Sequence, residues 1–200
     1  MQQIDFGQRY TKEAIRNGTH GYACPMNWSQ EDAQRHLYTW PFLTVRDVTK
    51  VLNKPRRKVA LLAEQQILLP RDAKPGRGRA REYTFYQLVL FRIAFDLEGL
   101  GLKPRVQRAI MSDLANRRIK YPGDQLTIHL DPASDEVTVH EGIFSFEEEP
   151  YVFLRIVMPD LMHEVSDSLI GEFPEYEEHN RLILNTIQQI KFGETNGTNI

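Results

Sequence analysis

The sequence predicts an α+β protein in two parts, a basic helical part followed by a small acidic part that mixes strands with helix. Three observations carry that expectation. Charge is segregated along the chain, helix-start signals surround the basic run, and the hydrophobic period changes from helical to alternating after Gly123.

The net charge of −2 over 200 residues conceals the segregation. Residues 1–43 carry 4 basic and 4 acidic side chains, residues 44–120 carry 18 and 7, and residues 121–200 carry 3 and 16, so the three segments stand at 0, +11 and −13. A basic middle attracts phosphates and speeds encounter with them, whereas an acidic end repels them. The two parts are therefore suited to different tasks.

A hydrophobic fraction of 41% fills an ordinary core, in one domain or two small ones. The sequence holds no run of about 18 apolar residues, and Met1-Gln2-Gln3-Ile4-Asp5 has neither the basic start nor the apolar stretch of a signal peptide. A cytoplasmic, nucleoid-associated location with no membrane contact is the expectation. Cys24 is the single cysteine, which leaves no intrachain disulfide and no thiolate cluster for zinc. The six histidines are scattered without a metal-ligand spacing, and Arg77-Gly78-Arg79 lacks the frame of a phosphate-binding loop. Neither an enzyme nor a cofactor is expected.

Helix signals place the basic residues on structure. Thr44 suits an N-cap, Asp47 sits three residues on as in a capping box, and Val45, Val48, Val51 and Leu52 share one face of a helix that ends near Asn53. Pro55 suits the first position of a second helix, in which Val59, Leu62, Ala63 and Gln66 turn inward. Arg56, Arg57, Ala60 and either Leu61 or Glu64 are left outside. Two short helices across a turn of about three residues match a helix-turn-helix, whose second helix enters the major groove with its first residues nearest the bases. That places Arg56 and Arg57 at the base edges.

From Arg71 to Arg81 the chain mixes five basic residues with Pro75, Gly76 and Gly78, a composition that breaks helices. A short, glycine-tipped, two-stranded wing would hold Arg77, Arg79 and Arg81 beside the backbone or the minor groove. Thr84 then caps a third helix with Gln87 closing the box, Leu88, Val89, Phe91, Ile93, Phe95 and Leu97 are its core residues, and Gly99 and Gly101 end it. A fourth helix starts at Pro104, with Val106, Ile110, Met111 and Leu114 inside and Arg105 and Arg108 outside, and reaches Arg117-Arg118.

In order and in residues this stretch resembles the MerR-type winged helix-turn-helix of bacterial transcriptional regulators, and the related excisionase-like modules. The likeness covers about 75 residues. It rests on Phe42-Leu43-Thr44-Val45-Arg46-Asp47-Val48, Ile67-Leu68-Leu69-Pro70, Arg81-Glu82-Tyr83-Thr84 and Leu97-Glu98-Gly99-Leu100-Gly101-Leu102. The resemblance implies a winged DNA-binding domain over residues 41–118, a phosphate contact for Arg81, and a Tyr83 that packs at the wing base or reaches the DNA backbone. The sequence departs from the family at Lys54, where a Ser or Thr cap is usual, and at Gln66 or Ile67, where glycine is usual. It also breaks at Tyr121-Pro122-Gly123, where metal- and drug-sensing members run on into a long dimerising helix.

The function these residues imply is sequence-specific regulation of transcription on double-stranded DNA. Arg56 and Arg57 read base edges, Lys58, Arg77, Arg79 and Arg81 hold phosphates, and Thr44, Arg46, Leu61 and Tyr83 complete the candidate set. Two other readings stay open: an excisionase-like factor that bends DNA for a recombinase, and a helix-turn-helix that docks a protein.

Residues 123–192 read as the small acidic α+β domain. Leu126, Ile128 and Leu130 alternate with Thr127 and His129, residues 131–135 turn, and Val137 and Val139 alternate again, which describes a hairpin. Residues 151–157 make a third, more buried strand, and Leu161, Val165, Leu169 and Ile170 mark a helix from Pro159-Asp160. His129 and His140 are expected at exposed strand positions. The leading role for this domain is homodimerisation, since helix-turn-helix proteins commonly bind two half-sites; a small-ligand site or a partner contact are the others. Glu172-Phe173-Pro174-Glu175-Tyr176-Glu177-Glu178 mixes acid with aromatics ahead of a last short helix over 182–190. It either lies back on the basic domain or recruits RNA polymerase or another regulator. Residues 1–40 form an extension of no readable role, and 193–200 a disordered tail.

Overall fold

Thr44 begins the first helix by exchanging hydrogen bonds with the residue three places on. The Asp47 amide donates to the Thr44 hydroxyl at 3.4 Å, and the Asp47 carboxylate accepts from the Thr44 amide at 2.8 Å. Two amides that a helix start leaves without partners are satisfied in this way, and α1 follows over Val45–Val51. Its far end closes with the Asn53 amide on the Lys50 carbonyl and the Lys54 amide on the Thr49 carbonyl, each at 3.2 Å. That pairing needs a left-handed residue, which Asn53 supplies with φ 48°; its short polar side chain makes it one of the few residues that visit this region readily. The chain thus reverses within Leu52 to Pro55 and enters α2 (Arg56–Glu64). Pro55 was expected inside that helix. It stands one residue before it, because its ψ of 136° is extended, and no side chain caps the start.

The computed structural model describes residues 43–65, 67–68, 81–116, 125–131, 136–141, 152–178, 180–181 and 184–185. The expectations for the N-terminal extension, for the basic loop through Arg77 and Arg79, for the end of the fourth helix and for the C-terminal tail lie outside these residues.

Among the described residues the protein is a mixture of five α-helices and two small sheets. The third helix, α3 (Phe85–Gly99), starts with a second capping box, Thr84 exchanging bonds with Gln87. Phe85, Tyr86, Leu90 and Ala94 are buried together with the six apolar residues expected there. With ten of its fifteen residues buried, α3 belongs in the middle of a core, and it is flanked by α4 (Pro104–Asn116) and by α5 (Met158–Glu172). Gly101, with φ 74°, closes α3 as Asn53 closes α1: its amide reaches the Glu98 carbonyl at 2.9 Å and the Leu102 amide reaches that of Leu97 at 3.4 Å.

The first sheet is a two-residue antiparallel ladder, β1 (Leu43–Thr44) against β2 (Glu82–Tyr83), with Leu43 opposite Tyr83. The second has three antiparallel strands, β3 (Gln125–Leu130), β4 (Val137–Glu141) and β5 (Val152–Val157), in the order β4-β3-β5. The hairpin and the third strand of the sequence reading are present, with β5 beside β3, but β5 is not the more buried strand expected: Leu154, Ile156 and Val157 are half-buried and Arg155 is exposed. Leu126, Ile128, Leu130 and Val139 are buried on one face, and α4 packs against β4. Helix α5 begins at Met158, slightly ahead of the expected Pro159-Asp160, and buries Met158, Met162, Val165, Ser166 and Leu169.

The basic and acidic parts share a core. Buried residues from Leu43 through Tyr176 form one continuous hydrophobic cluster, and α5 lies against both α1 and α3. No helix among the described residues is long and apolar enough to cross a membrane.

Candidate nucleic-acid interface

Helix α2 divides its residues cleanly. Val59, Leu62 and Ala63 are buried, while Arg56, Arg57, Lys58, Leu61 and Glu64 are exposed. The first turn therefore presents three consecutive cations to solvent. Among the described residues no ion pair engages Arg56 or Arg57, whose planar, permanently charged heads suit bidentate contact with phosphate or guanine. Lys58 differs: its Nζ lies 2.9 Å from Glu98 Oε1 at the end of α3, with both side chains about half exposed. A pair so open to water is worth about 0–1 kcal/mol. It fixes position more than it adds stability.

Leu61 is 43% exposed on this same outward face, one of two large hydrophobic side chains so placed, the other being Leu100 at 62% in the turn between α3 and α4. Arg46 is exposed on α1. On α4, Arg105 and Arg108 are exposed, as their spacing implied.

Two members of the candidate set serve the fold instead. The Thr44 hydroxyl accepts from the Asp47 amide and donates to Asp47 Oδ2 at 2.8 Å, so its proton is committed to the helix start. Tyr83 is fully buried, its ring edge-on to Phe91 with centroids 5.0 Å apart. Burial pushes its hydroxyl pKa up, against the opposing pull of the Arg81 guanidinium beside it. Of the two roles implied for Tyr83, it fills the packing one, because its ladder partner Leu43 is also buried and turns the ring inward. Arg81 is half-buried at the edge of the ladder.

Sequence reasoning missed Glu98 as a partner of Lys58, since 40 residues separate them. Nor did it show that Lys54 lies over the Phe95 ring, 5.5 Å from its centroid, or that Lys50 lies over Phe173 at 5.7 Å. Cations above aromatic faces are attracted by the ring quadrupole, and these two hold the flanks of α1 against α3 and against the acidic C-terminal stretch. That stretch lies back on α1. Tyr176 is buried near Asp47, and burial, then Glu175 and Asp47, push its hydroxyl pKa up to about 12.

His129 and His140 are not at open positions as expected. Both are half-buried, and their rings meet edge to face with centroids 5.4 Å apart. Thr127 faces His140 in the register, and His129 is its neighbour on the same face. Burial, then the neighbouring His140, lower the His129 pKa.

The surface assembled by α2 is thus cationic at its first turn, apolar at Leu61, and backed by a rigid core. No protein-family model matches the chain, and comparison with curated proteins gives no match either.

Proposed function

We propose that this protein is a sequence-specific double-stranded DNA-binding regulator of transcription, a winged helix-turn-helix of MerR-like type that acts as a homodimer. Helix α2 enters the major groove. The observation that carries the reading is the exposure of Arg56, Arg57 and Lys58 on the first turn of a short helix whose opposite face is buried, directly after a tight reversal from α1. A helix fits the major groove, and arginines at its leading end meet guanine edges and phosphates. The excess of +11 over residues 44–120 supports the same reading, because phosphate neutralisation dominates affinity for nucleic acid.

In this reading Arg56 and Arg57 contact bases, Lys58 and Arg46 contact phosphates, and the basic loop with Arg77, Arg79 and Arg81 lies along the backbone or minor groove. The acidic C-terminal half faces away from the nucleic acid and is available to a second copy, to RNA polymerase or to another regulator.

The test is in vitro selection from random duplexes, followed by gel shift of the recovered sites at two salt concentrations. The expected result is a shared sequence, commonly an inverted repeat, bound with an affinity that falls steeply with salt. Arg57→Ala should lower preference for that sequence by about 1–3 kcal/mol, whereas Arg79→Ala should weaken all duplexes alike and flatten the salt slope by about one unit. No duplex bound at low salt would overturn the proposal.

A further inference from the structure

Leu61 occupies an unusual place on α2. Every other large apolar side chain of the helix is buried, yet Leu61 is 43% exposed, and it lies four residues after Arg57 on the same outward face. Positions four apart are neighbours on a helix. Nothing among the described residues draws Leu61 into the core, because Val59, Leu62 and Ala63 already face that way.

We infer that Leu61 is a specificity-determining residue that reads the C5 methyl group of a thymine in the major groove; this rests on the DNA-binding proposal. In that groove thymine is the base pair's apolar feature, and a small apolar side chain meets it where a polar one would lose hydration. The alternative of an exposed leucine on a cationic face gains nothing from water. Four residues at about 1.5 Å rise place Leu61 about 6 Å beyond Arg57 along the helix axis. Base pairs stack at about 3.4 Å, so for a helix lying along the groove the thymine falls within about two steps of the base that Arg57 contacts. The arrangement specifies a short pattern in which a guanine and a thymine are separated by no more than about one base pair.

The probe is the duplex recovered by selection, synthesised with each thymine replaced in turn by uracil, which removes one methyl group and leaves base pairing intact. Removing a methyl contact of this kind costs about four-fold in affinity. The expected result is such a loss at one thymine per half-site, within about two steps of the base at which Arg57→Ala relaxes preference. Leu61→Ala should then bind thymine and uracil duplexes equally. Alanine is the strongest helix former and the position is exposed, so this variant keeps the fold. Equal binding of every uracil duplex by the unaltered protein, or a uracil effect that persists in Leu61→Ala, would overturn the role of Leu61 while DNA binding stood. Absence of binding to any duplex would instead remove the reading on which it rests.

Discussion

The Tyr86 hydroxyl donates to the Leu114 carbonyl at 3.0 Å in the interior, tying the first turn of α3 to α4. Tyr86→Phe removes this buried hydrogen bond and should lower stability by about 0.5–1.5 kcal/mol. Urea denaturation checks this, and an unchanged midpoint would mean that another donor takes the carbonyl.

Glu98 is expected to restrain Lys58 and to repel phosphate from the entry of α2. Glu98→Gln should tighten binding to all duplexes by about two- to five-fold, the range an exposed ion pair spans. It should also steepen the salt dependence by about one unit as Lys58 becomes free for phosphate. Fluorescence titration over a salt series separates this from a change in fold. An unaltered slope would place Lys58 away from the phosphates.

Acid should weaken the fold through the histidine pair. Folding lowers the His129 pKa below its ordinary 6.5, so the native state favours the neutral ring and the unfolded chain binds more protons. The contribution is whole above the unfolded value of 6.5 and is lost as pH falls through the lower folded value. His140→Gln removes the smaller of the two causes of that shift and should flatten part of the decline as pH falls below 6.5. Thermal melts across that interval would show it.

A shared core predicts a single unfolding step. Leu169→Ala, on a helix that the sequence places in the acidic part, opens a cavity in the common cluster and should cost about 2–5 kcal/mol. Hydrogen exchange should show the amides of α2 and of β3 losing protection at the same urea concentration. Loss of protection in β3 well before α2 would mean that the contacts of α5 with α1 and α3 are too weak to couple the parts.

What the sequence made legible was local. Thr44 with Asp47 and Thr84 with Gln87 announce helix starts because the bonding partners are three residues apart. The inward face of α2 was legible from helical spacing, and the β3–β4 hairpin from alternation. The pairings that cross long stretches of chain left no such mark. Lys58 with Glu98, Lys50 with Phe173, β5 beside β3 and the packing of α5 on α1 depend on which surfaces meet after collapse. The inward turn of Tyr83 is of the same kind. Its ring is buried because Leu43 stands opposite it, and that contact joins residues 40 positions apart.

The ladder between β1 and β2 acts as a gear between two helices. Leu43 and Tyr83 face each other within it, and the next residue of β1 and the residue after β2 are the caps Thr44 and Thr84. A slip of one residue would turn a buried side chain outward, so the rotational phase of α1 is locked to that of α3 by main-chain bonds. Side-chain changes elsewhere in the core can then alter how firmly the protein holds together without changing the phase of α1 against α3.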